Sequence, residues 1–192
     1  PKENQIITCS LVTMKDQEAS FTHARLITAR SFDSEIALIK MMNERQIEIY
    51  CGEPDWDFAF SLSQKIAYGL IQSPTNQLPE NSFVLNRQPD QGYSLRGDGT
   101  DYDFLWNGQT PLDTYYLSSL ILPGGVSLIK GLLFNFLHTQ KPEGSIDWKP
   151  GLAGQRSHLE ATPILANITW QIYQISQDID FLKSVFPSIL KH

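Results

Sequence analysis

The run Thr110-Pro-Leu-Asp-Thr-Tyr-Tyr-Leu-Ser-Ser-Leu-Ile-Leu-Pro-Gly-Gly-Val-Ser-Leu-Ile-Lys-Gly-Leu-Leu-Phe-Asn-Phe-Leu-His-Thr-Gln140 decides the fold. Thr110 offers a hydroxyl to the unpaired N–H groups of a helix start. Pro111 fits the first helical position, where a missing N–H costs nothing. The apolar stretch reaches about Leu122, breaks at Pro123-Gly-Gly125, and resumes from Val126 to Gln140 before Lys141-Pro-Glu-Gly144 ends it. Two helices joined by a tight turn make a helical hairpin.

The same grammar recurs on both sides. Thr162-Pro163 repeats the Thr-Pro start, and Ile164, Leu165, Ile168, Ile172 and Ile175 form the stripe of the helix that follows. Asp178 then caps a further helix carrying Phe181, Leu182, Val185 and Ile189. Upstream, Pro54 to Gln72 reads as a helix with Pro54 at its first position and Asp55 and Asp57 in its positive first turn. Phe58, Leu62, Ile66 and Leu70 recur along it as one buried stripe. The order is helix, short turn, helix, long loop, with the long loops expected at one end of the array. Before Pro54 the signals are weaker: strand-like alternation over Gln5–Met14, helical spacing over Ala24–Met42 with a break or start near Ser31–Glu35, and a short extended piece over Gln46–Tyr50. The fold class expected is mainly α, with a short extended or linker region at the N-terminus. Residues 1–53 read as a linker or the end of a preceding domain, and residues 54–192 as a helical domain.

Composition narrows the function classes. The chain has 192 residues, 41% hydrophobic and 19% charged, which suits a packed core. Its net charge of -6 argues against a nucleic-acid face, which needs clustered Lys and Arg. Without a run of about 18 apolar residues, no membrane-spanning helix is expected. Cys9 and Cys51 make neither a disulfide framework nor a cysteine-rich metal site, and leave the redox compartment open. His23, His138, His158 and His192 form no ligand pair, and neither a P-loop nor a dinucleotide fingerprint occurs. No cofactor is expected. Pro1 is not a Met and opens no basic-then-apolar leader, so any signal peptide is expected to be absent or already removed, and at His192 a cut from a longer chain is expected at least as much as a natural end.

Two loops carry the candidate chemistry. Trp106, Asn107 and Gln109 stand just before Pro111, and Asp147, Trp148, Gln155 and Arg156 lie in the loop before Pro163. Sugars call for this mixture, because a pyranose presents C–H faces to an aromatic ring and hydroxyls to amides, carboxylates and guanidinium groups. The competing reading has Trp106 and Trp148 packed under their loops and Arg156 paired with an acid. Asp90, Asp98, Asp101 and Asp103, interleaved with glycines, suit either a calcium loop or solvated turns, and their spacing departs from the EF-hand pattern. No metal site is assigned.

Trp106-Asn-Gly-Gln opening a helix, then Leu122-Pro-Gly-Gly, Lys130-Gly-Leu-Leu-Phe-Asn-Phe-Leu-His-Thr-Gln140 and Gly144-Ser-Ile, resembles the (α/α)6-barrel glycoside hydrolases. The nearest group is that around glycoside hydrolase family 63, the processing α-glucosidases and mannosylglycerate hydrolases. Thr162-Pro-Ile-Leu-Ala-Asn-Ile-Thr-Trp-Gln-Ile-Tyr173 with Asp178-Ile-Asp-Phe-Leu182 is similar to their next hairpin, so the resemblance spans about Pro54 to His192. It implies hairpins forming part of an (α/α)6 toroid. Trp106 and Asn107 fall where the family has a sugar-contacting Trp-Asp pair, and Asn107 departs from it by losing the charge. Gln140 and the Gly144–Trp148 stretch fall where the next loop lines the pocket. The family's two catalytic carboxylates lie in later loops, and no segment here matches them, so the acid and base are expected beyond His192.

The resemblance implies part of an inverting glucosidase-like enzyme for an α-linked oligosaccharide or glycoside, with a carbohydrate as partner. The alternative is a non-catalytic α-helical repeat module that binds through aromatic loop residues. Self-association is also expected, since the stripes of Phe58–Leu70 and Ile164–Ile175 would lack neighbours in a partial toroid.

Overall fold

The computed structural model describes residues 9–12, 14, 16–44, 46–75, 77–83, 108–151, 156–157 and 159–192. Among them run helices α1 (Gln17–Thr28), α2 (Phe32–Glu44), α3 (Pro54–Leu70), α4 (Pro111–Ile121), α5 (Val126–Leu137), α6 (Ile164–Ser176) and α7 (Ile179–Lys191). Strands β1 (Ile71–Gln72) and β2 (Ser82–Phe83) pair antiparallel, Ile71 opposite Phe83. The chain is mainly helical, and it divides into two compact units, Pro1–Arg45 and Gln46–His192.

In the first unit α2 falls largely in the Ala24–Met42 stretch expected to be helical, with its start in the expected Ser31–Glu35 break, and α1 begins earlier, at Gln17. Asp16 caps α1 by accepting the Ala19 N–H at 2.7 Å, and the chain turns at Ala29–Ser31 before α2 begins. Residues 9–12 and 14 form no strand; Ser10 Oγ donates to the Ala24 carbonyl at 3.0 Å and so ties this stretch to α1. No residue of α1 is buried, and Phe21 and Leu26 face solvent.

The second unit begins at Gln46, earlier than the expected boundary at Pro54. The reason is a two-point clamp from α3: Gln64 Oε1 accepts the Ile47 N–H at 3.0 Å, and its Nε2 donates to the Ile47 carbonyl at 2.7 Å. Asp57 Oδ1 accepts the Cys51 N–H at 2.9 Å, which holds the Asp57 carboxyl below its ordinary pKa. α3 therefore turns Gln64 and Ala67 inward. The Phe58–Leu70 stripe is not the buried one. Phe58, Leu62 and Ile66 are 68%, 45% and 57% exposed, and Leu70 is half-buried. Spacing identified an apolar face, but the neighbouring segment took the other side of the helix.

The core lies where α4 to α7 meet. Ile129, Leu132, Leu133 and Phe136 of α5 pack with Leu165, Ile168 and Ile172 of α6, all fully buried, together with Ile121 of α4 and Val185 of α7. Each such side chain contributes about 1.5–3 kcal/mol by leaving water. α6 touches α4, α5 and α7, while α3 packs on α4. The α6 stripe is buried at its centre, but Ile175 is exposed.

Helix starts follow local chemistry unevenly. Thr110 caps α4 as expected: its Oγ1 accepts the Asp113 N–H at 3.4 Å and donates to the Asp113 carboxylate. Thr162 does not cap α6. Pro163 occupies the cap position there without a side-chain bond, and Thr162 is exposed. α5 ends at Leu137, short of Gln140, with Thr139 Oγ1 donating to the Phe136 carbonyl at 2.7 Å in the closing turn.

Asp178 does two jobs. Its Oδ1 caps α7 by accepting the Phe181 N–H at 2.9 Å, and its Oδ2 takes a 2.6 Å bond from Lys130 Nζ of α5. Lys130 also sits 4.6 Å from the centre of the Phe181 ring. The Lys130 bond, then the cap bond, hold the Asp178 carboxyl below its ordinary pKa. A carboxylate whose folded pKa is depressed stabilises the fold above its unfolded pKa, about 3.9, and loses that contribution as pH falls through the folded value. Asp178→Asn should therefore lower the chemical-denaturation midpoint at pH 7. The gap to the parent chain should narrow progressively as the pH is brought below the unfolded carboxylate's pKa and through the lower folded one. A pH-independent gap would show that the charge plays no part.

Candidate functional site

Both candidate loops lie beside helix starts, and the backbone pairs them. Gly108, just ahead of α4, forms an antiparallel bridge with Gly151 in the loop leading to α6, and the Gln109 N–H donates to the Pro150 carbonyl at 3.4 Å. A Cβ at Gly108 would stand 2.6 Å from the Pro150 carbonyl oxygen, closer than side chains come. Glycine is what lets the two loops touch.

A second pairing shapes the loop before α6. The Trp148 N–H donates to the Leu159 carbonyl at 2.9 Å and the Ala161 N–H to the Ile146 carbonyl at 2.7 Å, so Asp147 faces Glu160 across an antiparallel bridge. Thr139 Oγ1, at the end of α5, accepts the Asp147 N–H at 3.0 Å and anchors the loop to the helical core. Asp147 then organises the rest. Its Oδ1 accepts from Lys149 N–H at 2.9 Å, Ser157 N–H at 3.1 Å and Ser157 Oγ at 3.0 Å. Like charges directly opposite on paired strands disfavour each other. Here the backbone and hydroxyl donors satisfy Asp147, and Glu160 has His192 Nδ1 at 3.7 Å, a partner whenever the imidazole is protonated.

The sequence candidates separate in this frame. Trp148 and Arg156 are half-buried, and Asp147 organises their loop through its bonds to Lys149 and Ser157. Gln109 is at the same place but turned into the core. Its Nε2 donates to the Leu132 carbonyl at 2.7 Å, its Oε1 accepts from Asn135 Nδ2 at 3.2 Å, and it is fully buried. That amide joins α4 to α5 and faces no open surface, so Gln109 leaves the sugar-contacting set. Gln140 likewise serves the scaffold, with Nε2 donating to the Gly144 and Ser188 carbonyls at 3.0 and 2.8 Å. Trp106, Asn107, Gln155 and His158 lie outside the described residues, as do Asp90, Asp98, Asp101 and Asp103.

Sequence reasoning missed three residues here. Lys149 is 1% exposed, with its stem 3.1 Å from where a Gly108 Cβ would be, so its side chain fills the junction of the loops. Glu160 joins through strand pairing, which no linear spacing announces. Asn135 is the third: its Nδ2 donates to the Asn81 carbonyl at 3.0 Å and its Oδ1 accepts the Glu80 N–H at 3.2 Å, so it binds the chain before β2 to α5. One amide in the otherwise apolar run Leu132–Leu137 was the available signal. Among the described residues, no group of three or more His, Cys, Asp or Glu is placed to hold a metal ion, and no helix is long and apolar enough to cross a membrane.

Family models, curated proteins and solved structures yield no match to this chain.

Gly108→Ala tests the junction. The added methyl meets backbone that cannot rotate away, so the variant should lose about 1–3 kcal/mol of unfolding free energy. Gly69→Ala, which adds a methyl in open space, should be no less stable than the parent. Equal loss from both would mean the loops are not held in contact.

Proposed function

We propose that this chain supplies the sugar-binding part of an inverting, glucosidase-like hydrolase of the six-hairpin class, acting on an α-linked oligosaccharide or glycoside. The observation that carries the reading is the Gly108–Gly151 bridge. It joins the chain leaving Trp106-Asn107 to the loop that bears Asp147, Trp148 and Arg156, the two stretches whose composition suits a pyranose. In this proposal the Trp148 ring covers a C–H face of the sugar and Arg156 donates to its hydroxyls. Asp147 holds the loop that presents them, since three donors already occupy one of its oxygens. The helices α3 to α7 are the part of an (α/α)6 toroid that carries this surface.

Hydrolysis with inversion needs one carboxylic acid to protonate the leaving oxygen and a carboxylate about 6.5–9.5 Å away to activate water. No described residue is assigned either role, so the 192-residue chain is expected to bind without turnover. A second reading, a non-catalytic α-helical repeat binding module, is favoured by the exposed apolar face of α3.

Saturation-transfer NMR with α-linked gluco- and manno-disaccharides tests the first reading. We expect binding with a Kd of roughly millimolar order, corresponding to about -4 kcal/mol, and at least about tenfold weakening in Trp148→Ala. Binding that Trp148→Ala leaves unchanged, or no binding of any disaccharide, would remove the sugar assignment. Turnover by the purified chain would instead show that a catalytic acid and base lie within these 192 residues.

A further inference from the structure

We draw no further inference here: the strongest candidate, the buried His192 imidazole at the end of α7, which has a hydrogen bond at neither ring nitrogen and faces the Glu160 carboxylate at 3.7 Å, belongs to the paired loop before α6 already described, and among the described residues no third His, Cys, Asp or Glu is placed to join the two around a metal ion.

Discussion

Two buried side-chain amides hold the second unit in register. Asn135 and Gln109 bond to each other and then to three backbone groups on two segments: the Leu132 carbonyl of α5, and the Glu80 N–H and Asn81 carbonyl ahead of β2. A buried amide left without partners costs about 1–3 kcal/mol, so each of these segments is fixed by what the others need. Apolar packing among α4, α5 and α6 would tolerate small slips along a helix. The amides do not, because their bonds are directional and sit where water cannot substitute. The entry to α4, and with it the Gly108–Gly151 contact, takes its position from this pair.

Around that fixed point the loops are built by short-range chemistry. Thr139, Asp147 and Ser157 hold the segment before α6 mainly through side-chain acceptors for backbone N–H groups. Gly144 lets the preceding turn close: its φ is 107°, and a Cβ there would fall 2.3 Å from the Lys191 carbonyl oxygen. Lys130 and Asp178 then join the front of α7 to α5. The loop carrying Trp148 and Arg156 thus rests on the helices instead of on loop packing alone.

Much of the helical order was legible because it depends on neighbours in sequence. Pro54 and Pro111 sit at first helical positions, Thr110 and Asp178 cap, and the α6 and α7 stripes bury their central residues. What failed depends on distant partners. The Phe58–Ile66 stripe reads as core by spacing, yet the Gln64 amide and its Ile47 partner turned the opposite face inward. Thr162 looks like Thr110, but Pro163 took the cap position instead. In the candidate site, Trp148 and Arg156 stayed near the surface, while Gln109 was drawn inward by Asn135, a residue twenty-six positions away. Amide, hydroxyl and carboxylate groups serve scaffold and ligand equally well, so their type alone does not separate the roles.

The contrast between the two units has a consequence for backbone amide exchange with deuterated solvent. Exchange from a helix that buries nothing needs only local fraying, whereas exchange from a helix packed on all sides needs the unit to open as a whole. α1 has no buried residue, while α5 buries Ile129, Gly131, Leu132, Leu133, Asn135 and Phe136. Deuterium uptake should therefore run in an order the fold dictates: α1 within the earliest time points, the outer turns of α3 and α7 next, and the centre of α5 last. In such a hierarchy the amides of Leu132 to Phe136 report the global stability of the second unit, and those of α1 report only themselves.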